Sequence, residues 1–255
     1  MNEPMDASVE IVAPFSPRSR HAQIVHHLGV SIVRMGATGP GQTLPSEPDL
    51  CAQLGVSRAT VREAIKVLAA KGLVESRPKL GTQVRPRRDW NLLDPDVLAW
   101  HGEVGPDNWF LHNLSEVRMI VEPQVARLAA TRATDDEIDA LDSWCKRMHI
   151  SVPDPAAFMT ADVQFHATLL AASHNELLEQ LIGTIGAALR ASIDITAHVH
   201  GAPEASLPLH GAVVDGIRAR DEDAAQTAMQ ALLTTTARDI ERGLRTQGMR
   251  SEETR

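Results

Sequence analysis

The chain has 255 residues, 43% hydrophobic and 23% charged, enough for two modest domains with packed cores and too apolar for wholesale disorder. Aromatic residues make up only 3% and tyrosine is absent, which favours helices over a β-sandwich or barrel. The two cysteines, Cys51 and Cys145, cannot build a disulfide framework, and no apolar run reaches about 18 residues. The first seventeen residues carry Glu3, Asp6 and Glu10 in place of a basic and then apolar leader. Secreted and membrane classes are therefore set aside, and a cytoplasmic setting is expected.

The formal net charge of −8 hides its distribution. Residues 18–88 hold 12 of the 25 Lys and Arg but only 4 of the 33 Asp and Glu, a local excess of +8. Residues 89–255 come to −13 and the N-terminal tail to −3. One module is expected to meet a polyanion and the other is not.

Residues 1–17, with Pro4, Pro14 and Pro17 and no periodicity, read as a flexible tail. Ile24, Leu28, Ile32 and Met35 recur at helical spacing and predict a helix over 19–35, ended by Gly36, Gly39, Pro40 and Gly41. A short second helix starts at Ser46, with Asp49 in capping-box spacing and Pro48 in the first turn, and stops at Gly55. A third opens at Ser57 and turns Val61, Ala64, Ile65 and Leu68 inward as far as Lys71 and Gly72. Two strands, near 73–77 and 82–85, flank a tight turn through Pro78, Lys79, Leu80 and Gly81. Three helices and a hairpin make a winged helix-turn-helix pattern over 18–86.

Residues 87–107, rich in Trp, Pro and Asp, are expected to form a linker in which Trp90 and Trp100 pack the two domains together. Beyond it the chain reads as helix near 108–131, 134–149, 155–173, 175–199, 204–219 and 221–245, a bundle of six to seven helices. Residues 246–255 read as a second flexible tail. The fold class is mainly α.

On the third predicted helix Arg58 and Arg62 are four apart and share the face opposite the buried stripe, with Ser57 and Thr60 at the same N-terminal end. Hydroxyls and free amides at a helix N-terminus suit phosphate oxygens, and the arginines can reach base edges in a major groove. Lys79 and Gly81 sit at the tip of the hairpin, where a wing can approach the DNA backbone. An ordinary solvated basic helix is the rival account. The helix-turn-helix frame, the wing and the local +8 together favour double-stranded DNA.

Leu44-Pro45-Ser46-Glu47, Leu54-Gly55-Val56-Ser57-Arg58, Val61-Arg62-Glu63-Ala64, Gly72-Leu73-Val74 and Gly81-Thr82 resemble the N-terminal domain of GntR-family transcription regulators. The resemblance implies that the helix over 57–71 reads an operator, with Arg58 and Arg62 as principal contacts, and that the protein is a homodimer. Many members carry a basic residue after the Pro-Ser-Glu. Pro48 stands there in this chain, so a phosphate contact from the second helix is expected to be missing.

The second domain places polar residues where the helical period points inward. Arg118 shares a stripe with Leu111, Leu114, Val121 and Val125; Asp162 and His166 share one with Phe158, Phe165 and Leu169; His210 lies between Leu207 and Val214. Buried charges need partners, so these residues are expected to meet one another, a metal or an anionic ligand. The i, i+4 spacing of Asp162 and His166 suits two ligands of one ion, and equally a hydrogen-bonded pair in a core. If the last two helices turn back near Asp221, the residues 11 before and 11 after are His210 and Leu232.

Glu116-Val117-Arg118-x3-Glu122, Asp162-x3-His166, Ser173-His174-Asn175, His210 and Asp223-Ala224-Ala225 resemble the FCD ligand-binding domain of the FadR-type branch of this family. Many such domains hold a divalent metal on one Asp and three His. Asp162, His166 and His210 match three of these, and Leu232 stands where the fourth should be, so a bound Zn²⁺ or similar ion and a metal-free cavity both stay open. Arg118 is expected to hold an effector carboxylate, with an internal ion pair to Glu122 as the alternative. Arg190, beside Gly183, Gly186 and Ala187, is a weaker effector candidate. His198 and His200 are assigned no role, though either is a conceivable substitute for the missing ligand.

Trp90-Asn91-x-Leu93-Asp94-x-Asp96-Val97-Leu98-x-Trp100 resembles the subgroup of galactonate-operon repressors, which implies a sugar acid as effector. The rival function is a metal-dependent hydrolase using Asp162, His166 and His210. No HExxH or comparable ligand-plus-base motif supports it, and it leaves the basic domain without a role.

Overall fold

The computed structural model describes residues 19–36, 41–105, 108–196, 199 and 201–253. They form two compact units divided between residues 107 and 108. The expected tail over 1–17, His198 and His200 lie outside the described residues.

In the first unit, α1 (Arg20–Gly36) packs against α3 (Arg58–Ala70), and α2 (Glu47–Leu54) packs on α3 as well. Each short helix is closed by the chemistry expected of it. The Ser46 hydroxyl accepts the Asp49 amide and Gly55 ends α2 in the left-handed region, at φ 63°. The Ser57 hydroxyl accepts the Thr60 amide at 3.2 Å to start α3. Strands β1 (Val74–Arg77) and β2 (Gly81–Val84) pair antiparallel, Val74 opposite Val84 and Arg77 opposite Gly81. Lys79 turns the hairpin at φ 66°. Val61, Leu68 and Leu73 are fully buried beneath it.

The stretch expected as a linker is folded onto this unit. A 3₁₀ turn (Arg87–Asp89) leads to α4 (Pro95–Val104), which starts on an Asp94 cap with Pro95 in the first turn and packs along α1. Both tryptophans belong to this unit's core, Trp90 at 5% exposure and Trp100 at 0%. Their rings lie over glycines of α1: a Cβ on Gly29 would fall 2.5 Å from the Trp100 ring, and one on Gly36 2.3 Å from the Trp90 ring. Trp90 Nε1 donates to the Arg85 carbonyl and Trp100 Nε1 to His26 Nδ1. The Lys71 ammonium, at the C-terminus of α3, lies 2.7 Å from both Asp94 and Asp96. Those carboxylates hold it above the ordinary lysine range against the opposing pull of its burial.

The second unit is all helical: α5 (Asn108–Arg132), α6 (Asp135–Ser151), α7 (Pro155–Ala171), α8 (Glu176–Glu179), α9 (Ile182–Thr196), α10 (Ala202–Arg218) and α11 (Glu222–Glu253). A capping box between Thr134 and Glu137 opens α6, and Asn175 caps α8. The helix expected over 175–199 is interrupted at Gln180 and Leu181, where Gly183 and Gly186 weaken helical propensity just beyond. The last helix runs past 245 to Glu253, since only Gly248 in that stretch disfavours a helix and no proline stops it. Helix α5 packs against α7, α9, α10 and α11, and α10 and α11 form an antiparallel hairpin turning at Arg220 and Asp221. Gly216 makes that turn tight, because a Cβ there would lie 2.6 Å from the Ala225 amide nitrogen. No helix among the described residues is long and apolar enough to cross a membrane.

Candidate functional site

The exposed face of α3 carries Arg58 and Arg62, with Ser57 at its N-terminus. The Ser57 and Thr60 hydroxyls bond each other at 2.9 Å, so both are partly engaged in capping. Arg58 makes no ion pair among the described residues. Arg62 is tied back to α2, its Nε donating to Glu47 Oε2 at 2.9 Å. Lys79 and Gly81 are exposed on the hairpin. Sequence reasoning did not assign Glu47 this role, although it was one of only four acidic residues in the basic segment over 18–88.

Inside the second unit a cavity of about 120 Å³ is walled by α5, α7, α9, α10 and α11. Arg118, Asp162, His166 and His210 all reach it, and so does Leu232, as the hairpin register requires. Arg190 is exposed, folds back over Gly186 and is not on this wall. Sequence reasoning also missed Asp239, a buried carboxylate on the wall that lies on the apolar stripe of α11 beside Ile240.

The polar residues form one connected cluster. Arg118 Nε donates to Glu122 Oε1 at 2.5 Å, and both side chains are buried. His166 Nδ1 lies 2.5 Å from Glu122 Oε2. His166 Nε2 lies within hydrogen-bond distance of Arg118 Nη2, at 3.4 Å, and 3.7 Å from Asp162 Oδ1. His210 Nδ1 donates to the Ser206 carbonyl at 2.9 Å, and its buried Nε2 lies 3.0 Å from Asp162 Oδ1. Burial pushes the Glu122 carboxyl up, but Arg118 and His166 outweigh it and hold the group at about 2. Asp162 is likewise held below the usual carboxylate range, burial opposing and His210 and His166 prevailing.

Two imidazole nitrogens and an ionised carboxylate oxygen thus converge within 4.8 Å of one another. The donor set and its outer partners, Glu122 and the Ser206 carbonyl, have the chemistry of a metal site. The cluster can coordinate an ion through Asp162, His166 and His210.

Residues 21–84 match the family of bacterial regulatory proteins called gntR, and residues 113–235 match the FCD domain. The galactonate operon transcriptional repressor of Escherichia coli K12 is 37% identical over 222 residues, 86% of this chain and 95% of that protein. The chain is a member of the GntR family. The transcriptional repressor NanR of Escherichia coli K12 is 31% identical over 237 residues, covering 86% of this chain and 84% of that one. Among solved structures, Listeria monocytogenes Lar, which controls expression of the agr system, superposes with a TM-score of 0.60 at 17% identity, covering 86% of this chain and 96% of that one, a likeness of fold. This GntR-family chain is therefore a DNA-binding transcription regulator with an FCD effector-binding domain. The comparisons place it with regulators and not with hydrolases.

Proposed function

We propose that the protein is a repressor that acts as a homodimer on a palindromic operator and leaves DNA when a small polyhydroxy carboxylate occupies the FCD cavity. Arg58 and Arg62 on α3 read bases, Ser57 and Thr60 meet phosphate, and Lys79 and Gly81 carry the wing contact. A single winged helix has a small footprint, and twofold pairing lets two of them read two half-sites. Support for a sugar acid comes from the galactonate operon repressor, at 37% identity over nearly its whole length.

The observation that carries the effector reading is the charge of the cavity wall. Arg118 and Glu122 cancel, and Asp162 and Asp239 add two further carboxylates to the wall. Such a wall repels a carboxylate. A divalent ion such as Zn²⁺ on Asp162, His166 and His210 reverses the local sign, and when bound supplies the positive charge that an anionic effector needs. With Leu232 in place of a fourth ligand, the ion keeps a coordination position for the effector or water. Arg118 retains guanidinium N–H groups beyond the one donated to Glu122 and offers them to the same anion.

An effector of this kind releases DNA only to the extent that it prefers the DNA-incompetent arrangement. The test is fluorescence anisotropy on DNA from upstream of the regulator's own gene, titrated with galactonate in the presence of Zn²⁺. Release by galactonate from the wild type, lost in Arg118→Lys with DNA binding retained, is the expected result. The lysine keeps the charge and loses the fork. Normal release from that variant removes Arg118 from the effector site.

A further inference from the structure

Leu232, Thr235, Thr236 and Asp239 fall at i, i+3, i+4 and i+7 and give α11 a single face on the cavity, about 10 Å of helix. That face ends on a carboxylate. Asp239 is only 6% exposed, and its partner among the described residues is the solvent-facing Arg242, with Nη1 3.4 Å from Oδ1. The neighbouring hydroxyls have a fixed sense. Thr236 donates its hydrogen to the Leu232 carbonyl at 3.1 Å, and Ser192 of α9 donates its own to the Ala188 carbonyl at 2.6 Å. With their protons committed to their own helices, both oxygens offer the cavity lone pairs alone. Thr235 keeps a rotatable hydroxyl that can serve either way.

Asp239, Thr236 and Ser192 therefore make a stretch of wall that accepts hydrogen bonds and donates none. Its complement is a ligand segment carrying O–H donors. A carboxylate pressed against the same stretch gains no hydrogen bond from these three groups and meets a like charge in a poorly solvated site. We propose that Asp239, with Thr236 and Ser192, is the specificity element of the effector site, admitting a polyhydroxy monocarboxylate and rejecting the matching diacid. The inference rests on the sugar-acid reading above and adds to it which end chemistry the cavity tolerates.

Galactonate and galactarate differ only in whether the last carbon is a hydroxymethyl or a carboxylate, so they isolate this choice. Thermal-shift titrations of the full chain with each acid, in the presence of Zn²⁺, give two apparent dissociation constants. In the wild type the galactonate constant is expected to be lower by about tenfold or more. In Asp239→Asn, where an amide N–H₂ replaces a negative oxygen, that ratio should collapse to within about threefold. Asp239→Ser serves the same end if the asparagine variant does not fold. Equal affinity of the wild type for the two acids, or an unchanged ratio in the variant, overturns the assignment of Asp239 alone. Failure of both acids to bind the wild type overturns the sugar-acid reading and this inference with it.

Discussion

Replacing Glu122 by glutamine removes one negative charge from the deepest part of the FCD unit and changes almost nothing in shape. The carboxylate is 1% exposed and answers both Arg118 and His166, so its loss leaves a buried guanidinium, 4% exposed, without its ion-pair partner. Breaking a buried pair from one side costs about 3–5 kcal/mol. The pKa gives the same scale: a carboxyl held at about 2 instead of 4.5 favours the charged folded form by about 3 kcal/mol. For a unit of this size that corresponds to a fall in Tm of roughly 6–20 °C, read by circular dichroism on the full chain. Because the folded pKa lies below the unfolded one, the contribution is complete above about 4.5 and fades as pH falls towards 2, so the variant should show a shallower acid limb over that interval. The double variant Arg118→Met/Glu122→Gln should lose less than the two single changes summed, because it leaves no lone charge. A loss under about 1 kcal/mol in Glu122→Gln refutes the claim that this pair is dry and coupled.

Purified without added metal, the wild type should hold divalent ion below stoichiometry and lose it to EDTA. Leu232→His should raise the affinity by roughly tenfold or more, as followed by elemental analysis and competition with a chelator. A stoichiometric ion that survives EDTA dialysis of the wild type shows that another residue fills the fourth place. Gly29→Ala should destabilise the first unit by about 1–3 kcal/mol despite the better helix propensity of alanine, because its Cβ would strike the Trp100 ring; an unchanged denaturation midpoint counts against that packing. Arg58→Ala and Arg62→Ala should each cost about 1–3 kcal/mol in operator discrimination while leaving Tm unchanged, and wild-type affinity in both removes α3 from the reading role.

Local chemistry was readable wherever a few adjacent residues decide the outcome. Ser46, Ser57, Thr134 and Asn175 all cap the helices they precede, and the hairpin turns on the residues that suit it. Polar residues on apolar stripes marked Arg118, Asp162, His166 and His210, which the structure gathers around one cavity. Partner choice was less readable. Whether Arg118 faces Glu122, a ligand or both depends on helix rotation of a few tens of degrees, which periodicity alone does not fix. The proton positions on His166 and His210 depend on a carboxylate one helix away and a carbonyl one turn away. The fate of residues 87–107 was obscured because composition reads Trp, Pro and Asp as a connector, while the hollows that receive the two indoles are made by glycines some sixty residues earlier.

Those hollows bear on where the DNA-reading unit can be cut free. A fragment ending at residue 86, after the wing, would lack Trp90, Val97 and Trp100 and leave α1 with two ring-shaped dents over Gly29 and Gly36 open to water. It would also strand the Lys71 ammonium without Asp94 and Asp96. A fragment carried through residue 105 keeps both plugs and the charge clamp. Helix α3 thus depends for its footing on a segment that itself carries none of the proposed DNA contacts, and substitutions at Trp100 should surface in a genetic screen as loss of DNA binding with every proposed base contact intact.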